Sequence, residues 1–581
     1  MACPTAAKCK GRLSGCGWYP DLVLLCFRTA AIGLIAATAF AQTPPLLKIL
    51  TEELDRNFRI LKEKSDPAPY FLAYSVTEHE TYAISGTLGI LSSQTEGASR
   101  SLDITLRVGS PKLDNYHRVP GERQRPQFTT GARVVLEDLP EAIKRRLWLE
   151  TDGVYRSASQ RLTEIKTNSQ VKVTAEDNSD DFSPIQPARA TENVPKLKFE
   201  EKEWAEKIRK WSTVFKRHPD ILASSVIVLA QREVKTFVSS EGSALQHGRT
   251  FARILISARA KSPDGMDLST SETLEAEDPA KLPKEDKVMA AVTRVINDLQ
   301  GLLKAPEVEP LVGPAILSGS AAGVFFHEIF GHRIEGHRQK DESEGQTFTK
   351  SVGTKVLPDF LSVIFDPTRH SFGGTDLNGW FSFDDEGVPA QRVAVVESGV
   401  LKTFLLTRSP IEGFPKSNGH GRRQAGLEVV SRQSNLMVES SKVVSGKRLR
   451  EMLIEEVKKQ NKPYGFYFEH VTGGFTTTGR RGTQAFTVMP LVVYRVYPDG
   501  RPDELVRGVD IVGTPLASFA KILATSDRPE IFNGYCGAES GSVPVSAVSP
   551  ALLVSEIEIQ KKDRGRDKPP LLNAPSAGGA Q

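Results

Sequence analysis

The chain has 581 residues, too long for one ordinary hydrophobic core, and this implies about two to four domains. Its 39% hydrophobic and 25% charged content is ordinary for a soluble globular protein. The 75 Lys and Arg are interspersed with 71 Asp and Glu, and the net charge of +4 gives no basis for a nucleic-acid partner.

The first segment reads as a targeting signal rather than as fold. Lys8, Lys10, Arg12 and Arg28 precede an apolar run from Thr29 to Phe40, which ends at the small-x-small site Ala39-Phe40-Ala41. The run falls short of the roughly 20 residues that span a bilayer, so residues 1–41 are expected to direct export, to the periplasm or beyond, without a stable membrane anchor. Four of the five cysteines, Cys3, Cys9, Cys16 and Cys26, leave with this segment. The mature chain keeps only Cys536 and can form no internal disulfide; an inert buried thiol and a functional one are both open.

Residues 42–65 carry Leu47, Leu50, Leu54, Phe58 and Leu61 at helical spacing. Strand patterns follow at Tyr70–Val76, Tyr82–Leu91 and Ser101–Val108, then a helix at Pro140–Leu162 and a linker over 176–196. A second round begins at Phe199, with a helix at Glu200–Arg217 and strands at Ser225–Val234, Thr236–Ser240 and Thr250–Ala260, the turn lying at Ser240-Glu241-Gly242. The shared order suggests a weak internal duplication of domains 42–180 and 181–305. After a helix at Lys287–Lys304, glycine becomes frequent and β-type segments dominate domain 306–562, with helices at Gly323–Arg338 and Lys447–Gln460. Residues 563–581 read as a disordered tail. The fold class expected is α/β (α+β): a helix-and-sheet N-terminal half, possibly duplicated, and a β-rich C-terminal half.

The chemistry concentrates in the run His327-Glu328-Ile-Phe-Gly331-His332-Arg-Ile-Glu335-Gly336-His337. A hydrolytic zinc takes three protein ligands and keeps one position for water, and a nearby carboxylate takes the water's proton. The familiar zinc motif spaces its histidines four apart; here Gly331 stands at that place and the second histidine comes five later. Five steps on an α-helix leave two side chains roughly 140° apart, too far to share an ion. The shared-metal reading therefore requires a π-bulge or a helix break between His327 and His332, which Gly331 would tolerate. The flanking Phe325, Phe326, Ile329 and Phe330 bury the helix, and burying that much polarity is costly unless it is paired or liganded. Cys536 and His337 are candidates for a third ligand, with His420 and His470 weaker.

These residues resemble the TldD/PmbA family of zinc metalloproteases. The resemblance rests on HEIFGHRIEG (327–336), FDDEGVPAQRVAVVESGVLKTFLLTR (383–408), GHGRRQ (419–424), GGFTTTGRRGTQAF (473–486) and YCGAESGSVPV (535–545), in that order. It implies a Zn2+ ion on His327, His332 and Cys536, with Glu328 as general base in the hydrolysis of peptides or unfolded polypeptide segments. It also implies a homodimer, or a heterodimer with a PmbA-like subunit, and Gly473-Gly474 beside the substrate backbone. A non-catalytic peptide-binding or scaffolding subunit and a purely structural metal site are the alternatives. Arg333 and His337 stand where close relatives often carry Gly and Asp, and Gln433 replaces a usual Met. Asp384-Asp385-Glu386-Gly387 reads as a tight turn rather than a calcium loop, and Arg422-Arg423 and Arg480-Arg481 as structural pairs rather than anion sites.

Overall fold

The computed structural model describes residues 43–119, 128–169, 177–480, 485–513, 518–562 and 570. The signal segment 1–41, and the tail 563–581 apart from residue 570, lie outside the described residues. Among the described residues no helix is long and apolar enough to cross a membrane.

Residues 43–305 build one eight-stranded sheet from two long hairpins. The first pairs Pro69–Thr87 with Ile90–Ser110, and the second pairs Ala223–Ser239 with Ala244–Lys261. The strands read separately at Tyr70–Val76 and Tyr82–Leu91 are one strand, broken instead at Leu88-Gly89. Both of those residues have positive φ (48° and 77°), the backbone of a tight hairpin turn. An apolar leucine at the turn hides it from a composition-based reading. The second hairpin turns where expected, with Gly242 at φ 102°, and Ser225–Val234 and Thr236–Ser240 likewise fuse into one strand.

The two hairpins join edge to edge, with Ala73–Gly86 antiparallel to Val226–Ser239. The boundary drawn at residue 180 thus does not separate two sheets. Helices cover both hairpins, and Glu201–Thr213 also reaches across the first, sharing a core with Ile84. Pro45–Lys64 and Pro140–Ser169 share a core with Leu72, Tyr74, Leu102 and Ile104, whereas Glu201–Thr213 and Glu285–Lys304 pack on Val226, Val228, Ile254 and Ile256. The order helix–hairpin–helix therefore occurs twice, as the sequence suggests.

The C-terminal part is a twelve-stranded mixed sheet. Its pairings close on themselves: Gly541–Lys561 pairs with Val509–Gly513, that strand with Phe486–Val496, that with Gly465–Thr476, that with Leu311–Leu317, and that again with Gly541–Lys561. Gly319–Ile329 follows Leu311–Leu317 as a helix capped by Ser318, whose side chain accepts from the Ala321 N–H. Its small face is pressed onto the sheet, since a Cβ on Gly323 would fall 2.9 Å from that of Ala547. Its large face sends Phe325 and Phe326 into the core against Phe486 and Phe519. The remaining face carries His327 and Glu328 into a cleft of about 930 Å³.

Candidate metal centre

The helix that carries His327 ends at Ile329, and a short 3-10 turn over Gly331–Ile334 presents His332. This is the break that a five-residue spacing demands; the helix expected over Gly323–Arg338 does not run through. With the axis broken, the His327 and His332 rings meet nearly edge to face, 5.0 Å between centroids. The hairpin of Ile522–Ala538 and Gly541–Lys561 brings Cys536 to them from some 200 residues away. Cys536 Sγ lies 3.4 Å from His332 Nε2. One ligand atom from each of His327, His332 and Cys536 lies within 4.8 Å of the others, and all three residues are buried.

The last carbonyls of a helix have no partner within it and must find one outside. Here side chains supply them. Gln433 Nε2 donates to His327 O at 3.2 Å, while Arg333 Nη1 donates to Glu328 O at 3.0 Å and Ile329 O at 3.2 Å. Arg333 also donates to Thr476 Oγ1 and Thr477 O, tying the break to the cleft wall. Two residues noted as departures from the family pattern thus cap the same helix end. Gly331 turns out to serve space rather than conformational freedom, because its φ is not positive and a Cβ there would fall 1.9 Å from Gln433 Oε1.

Glu335, fully buried, is the residue the sequence reading passed over. Its Oε2 accepts from Arg338 Nε at 2.9 Å and lies 3.2 Å from His332 Nδ1. A carboxylate behind one ring nitrogen fixes the tautomer and directs the other nitrogen toward a ligand. Its position three residues after His332, the spacing of helical neighbours, was the available signal. Burial would raise the Glu335 carboxyl, but His332 and Arg338 overcome it and hold it down at about 2. Burial would likewise raise the Cys536 thiol, yet the His332 and His327 rings hold it well below the ordinary thiol range. That favours the thiolate, the form that binds metals. Glu328 moves the other way: burial pushes its carboxyl up against the lowering effect of the two histidines.

The remaining candidates fall elsewhere. His337 pairs through Nε2 with Glu539 and is not in the cluster. His420 is buried between Asn418 O and Ser434 Oγ, and burial lowers it to about 3. His470 lines the same cleft outside the cluster. Asp384 Oδ1 accepts from the Glu386 and Val388 N–H groups, and Gly387 has φ 79°, a tight turn as read. Gly474 lies against the site, since a Cβ there would fall 2.7 Å from Glu328 Cγ. Two imidazoles and a thiolate with room for a fourth position suit zinc in kind, and the 3.4 Å separation matches the roughly 3–4 Å between ligands of a tetrahedral ion.

Residues 312–561 match the PmbA/TldA metallopeptidase C-terminal domain. By this domain, residues 312–561 belong with the TldD/PmbA family. An Archaeoglobus fulgidus metalloprotease is 31% identical over 270 residues, 46% of this chain and 57% of that protein. A metalloprotease TldD homolog of Haemophilus influenzae is 28% identical, covering 42% and 48%. A zinc metalloprotease TldD homolog of Saccharolobus solfataricus is 26% identical, covering 46% and 54%. The chain spans about half the length of these relatives. The likeness of fold extends further than the sequence similarity. The crystal structure of TldE from Thermococcus kodakarensis matches with a TM-score of 0.60 at 14% identity, over 88% of this chain and 99% of that one. A Thermotoga maritima crystal structure matches at 0.58 and 18%, over 88% and 100%.

Proposed function

We propose that the chain is a zinc-dependent peptidase acting on peptides or unfolded segments, with His327, His332 and Cys536 as metal ligands and Glu328 as general base. The observation that carries it is the convergence of two imidazoles and a thiolate beside a carboxylate on the wall of a long cleft. Zinc bound there would polarise a peptide carbonyl and acidify water. Glu328 takes a proton from the attacking water and returns it to the leaving amine. Burial suits this role, because a raised carboxyl pKa brings the base nearer to neutral pH. Glu335 holds His332 in register, and Gly474, having no side chain, leaves Glu328 open to the cleft. The names of the metalloprotease relatives support the same reading.

We further propose export through residues 1–41 and pairing with a second copy or a PmbA-like subunit. The decisive experiment is zinc analysis and peptide turnover of the purified chain beside its Glu328→Gln variant. Stoichiometric zinc in both, with hydrolysis only in the parent, is the expected result. Zinc-free protein, or equal turnover by the variant, would leave the non-catalytic peptide-binding alternative.

A further inference from the structure

A second cavity, of about 270 Å³, lies between the second N-terminal hairpin and the C-terminal loops. Charged side chains line its wall. Lys235 pairs with Asp385 at 2.7 Å, and Glu233 is shared by Lys235 and His79, each at 3.6 Å. The second oxygen of Asp385 accepts from the Arg423 N–H, and the Arg423 guanidinium faces Asp103.

Two guanidiniums are left over. Arg422 is 95% buried, at 5% exposure, and the hydrogen bonds it makes run from Nη1 to the main-chain oxygens of Gln433 and Pro544, at 2.6 and 2.8 Å. Arg249 spends its donors on the Asn378 carbonyl and side-chain oxygens. Among the described residues, no carboxylate forms an ion pair with either. Burial lowers Arg422 to about 10; Asp385 and Glu233 oppose this, and the like charges of Arg432 and Arg249 add to it. The Nε and Nη2 edge of Arg422 makes no hydrogen bond among the described residues, and a guanidinium edge of that kind suits an oxyanion.

We propose that this cavity binds a small monocarboxylate, of the size of an amino acid or its N-acyl derivative, through Arg422, with the positive charge of Arg249 beside it. The volume, at about 30 Å³ per water, holds roughly nine waters' worth of ligand. Trp380, Phe381 and Tyr535 give an apolar wall for the carbon skeleton. Glu233 and Asp385 on the same wall disfavour a dianion such as phosphate. Tyr535 also borders the cleft of the metal centre, so the two spaces share a side chain, but the binding claim is independent of peptide hydrolysis.

The test is titration calorimetry of the full chain with N-acetyl-L-alanine, its neutral amide and inorganic phosphate. One saturable site for the carboxylate, no heat from the amide and weaker binding of phosphate are expected. Arg249→Gln should weaken carboxylate binding at least tenfold. Gln231→Glu serves as the second variant: it keeps an acceptor for the Tyr535 hydroxyl, 3.1 Å away, while adding a negative charge to the wall, and should weaken binding similarly. Absence of binding, equal binding of the amide, tighter binding of phosphate, or unchanged affinity in Gln231→Glu would overturn the assignment.

Discussion

The break between His327 and His332 depends on a fit between one missing side chain and one present, and that fit can be tested by a double-mutant cycle. Gly331→Ala would drive a Cβ to 1.9 Å from Gln433 Oε1 and 2.3 Å from its Cδ, so the turn or Gln433 must move. Overpacking of this kind costs about 1–3 kcal/mol. Gln433→Ala removes the donor to His327 O and leaves a buried carbonyl without it, again about 1–3 kcal/mol. Independent effects would sum to roughly 2–6 kcal/mol in the double variant. If the contact is as described, Gln433→Ala relieves the clash and the double variant loses only about 1–3 kcal/mol, with a coupling of similar size. Zinc affinity by chelator competition reads the effect directly, because displacing the turn displaces His332; thermal midpoints rank the same four proteins. Losses that add within about 0.5 kcal/mol would refute the reasoning.

Other outcomes follow from the same geometry. Cys536→Ser should abolish stoichiometric zinc, measured by elemental analysis, while the closed sheet that carries it stays folded by circular dichroism. Glu335→Gln keeps the shape but weakens the hold on His332, and zinc affinity should fall about 10–100-fold, with Glu328→Gln leaving that affinity nearly unchanged. The folded chain holds His420 neutral, with its pKa lowered from 6.5 to about 3. Its contribution is therefore intact above pH 6.5 and is lost as pH falls toward 3, by up to roughly 4–5 kcal/mol at about 1.4 per unit. Denaturation midpoints between pH 6.5 and 4 should fall less steeply in His420→Gln than in the parent; parallel slopes would count against this origin.

The candidate cluster was legible because two of its members lie in one short run and the third is the only cysteine after residue 41. The need for a broken helix also followed from spacing alone. What holds the break did not. Gln433 and Arg333 reach the helix end through tertiary contacts, and they read in sequence only as unexplained departures. The spacing assigns Gly331 only tolerance of a distorted turn, whereas it leaves the space that Gln433 occupies. In the N-terminal half, alternation and turn residues located the strands, but an apolar turn at Leu88-Gly89 and the edge pairing of Ala73–Gly86 with Val226–Ser239 are properties of the assembled sheet. The closed ring of the C-terminal part was likewise invisible, since its closing pair joins Leu311–Leu317 to residues 552–559, and such distant pairing is set by tertiary contact.

That ring has a consequence for how the chain acquires its chemistry. Leu311–Leu317 pairs with residues 552–559, more than 230 positions later, and Cys536 sits on the hairpin that supplies this closing strand. Loops of such length close slowly, and most of the stabilisation arrives only when they do. The two histidines are made early and wait on a helix whose sheet is unfinished. The thiol arrives with the strand that seals the domain, so a folding chain gains the third member of the candidate site and its last structural layer in the same event.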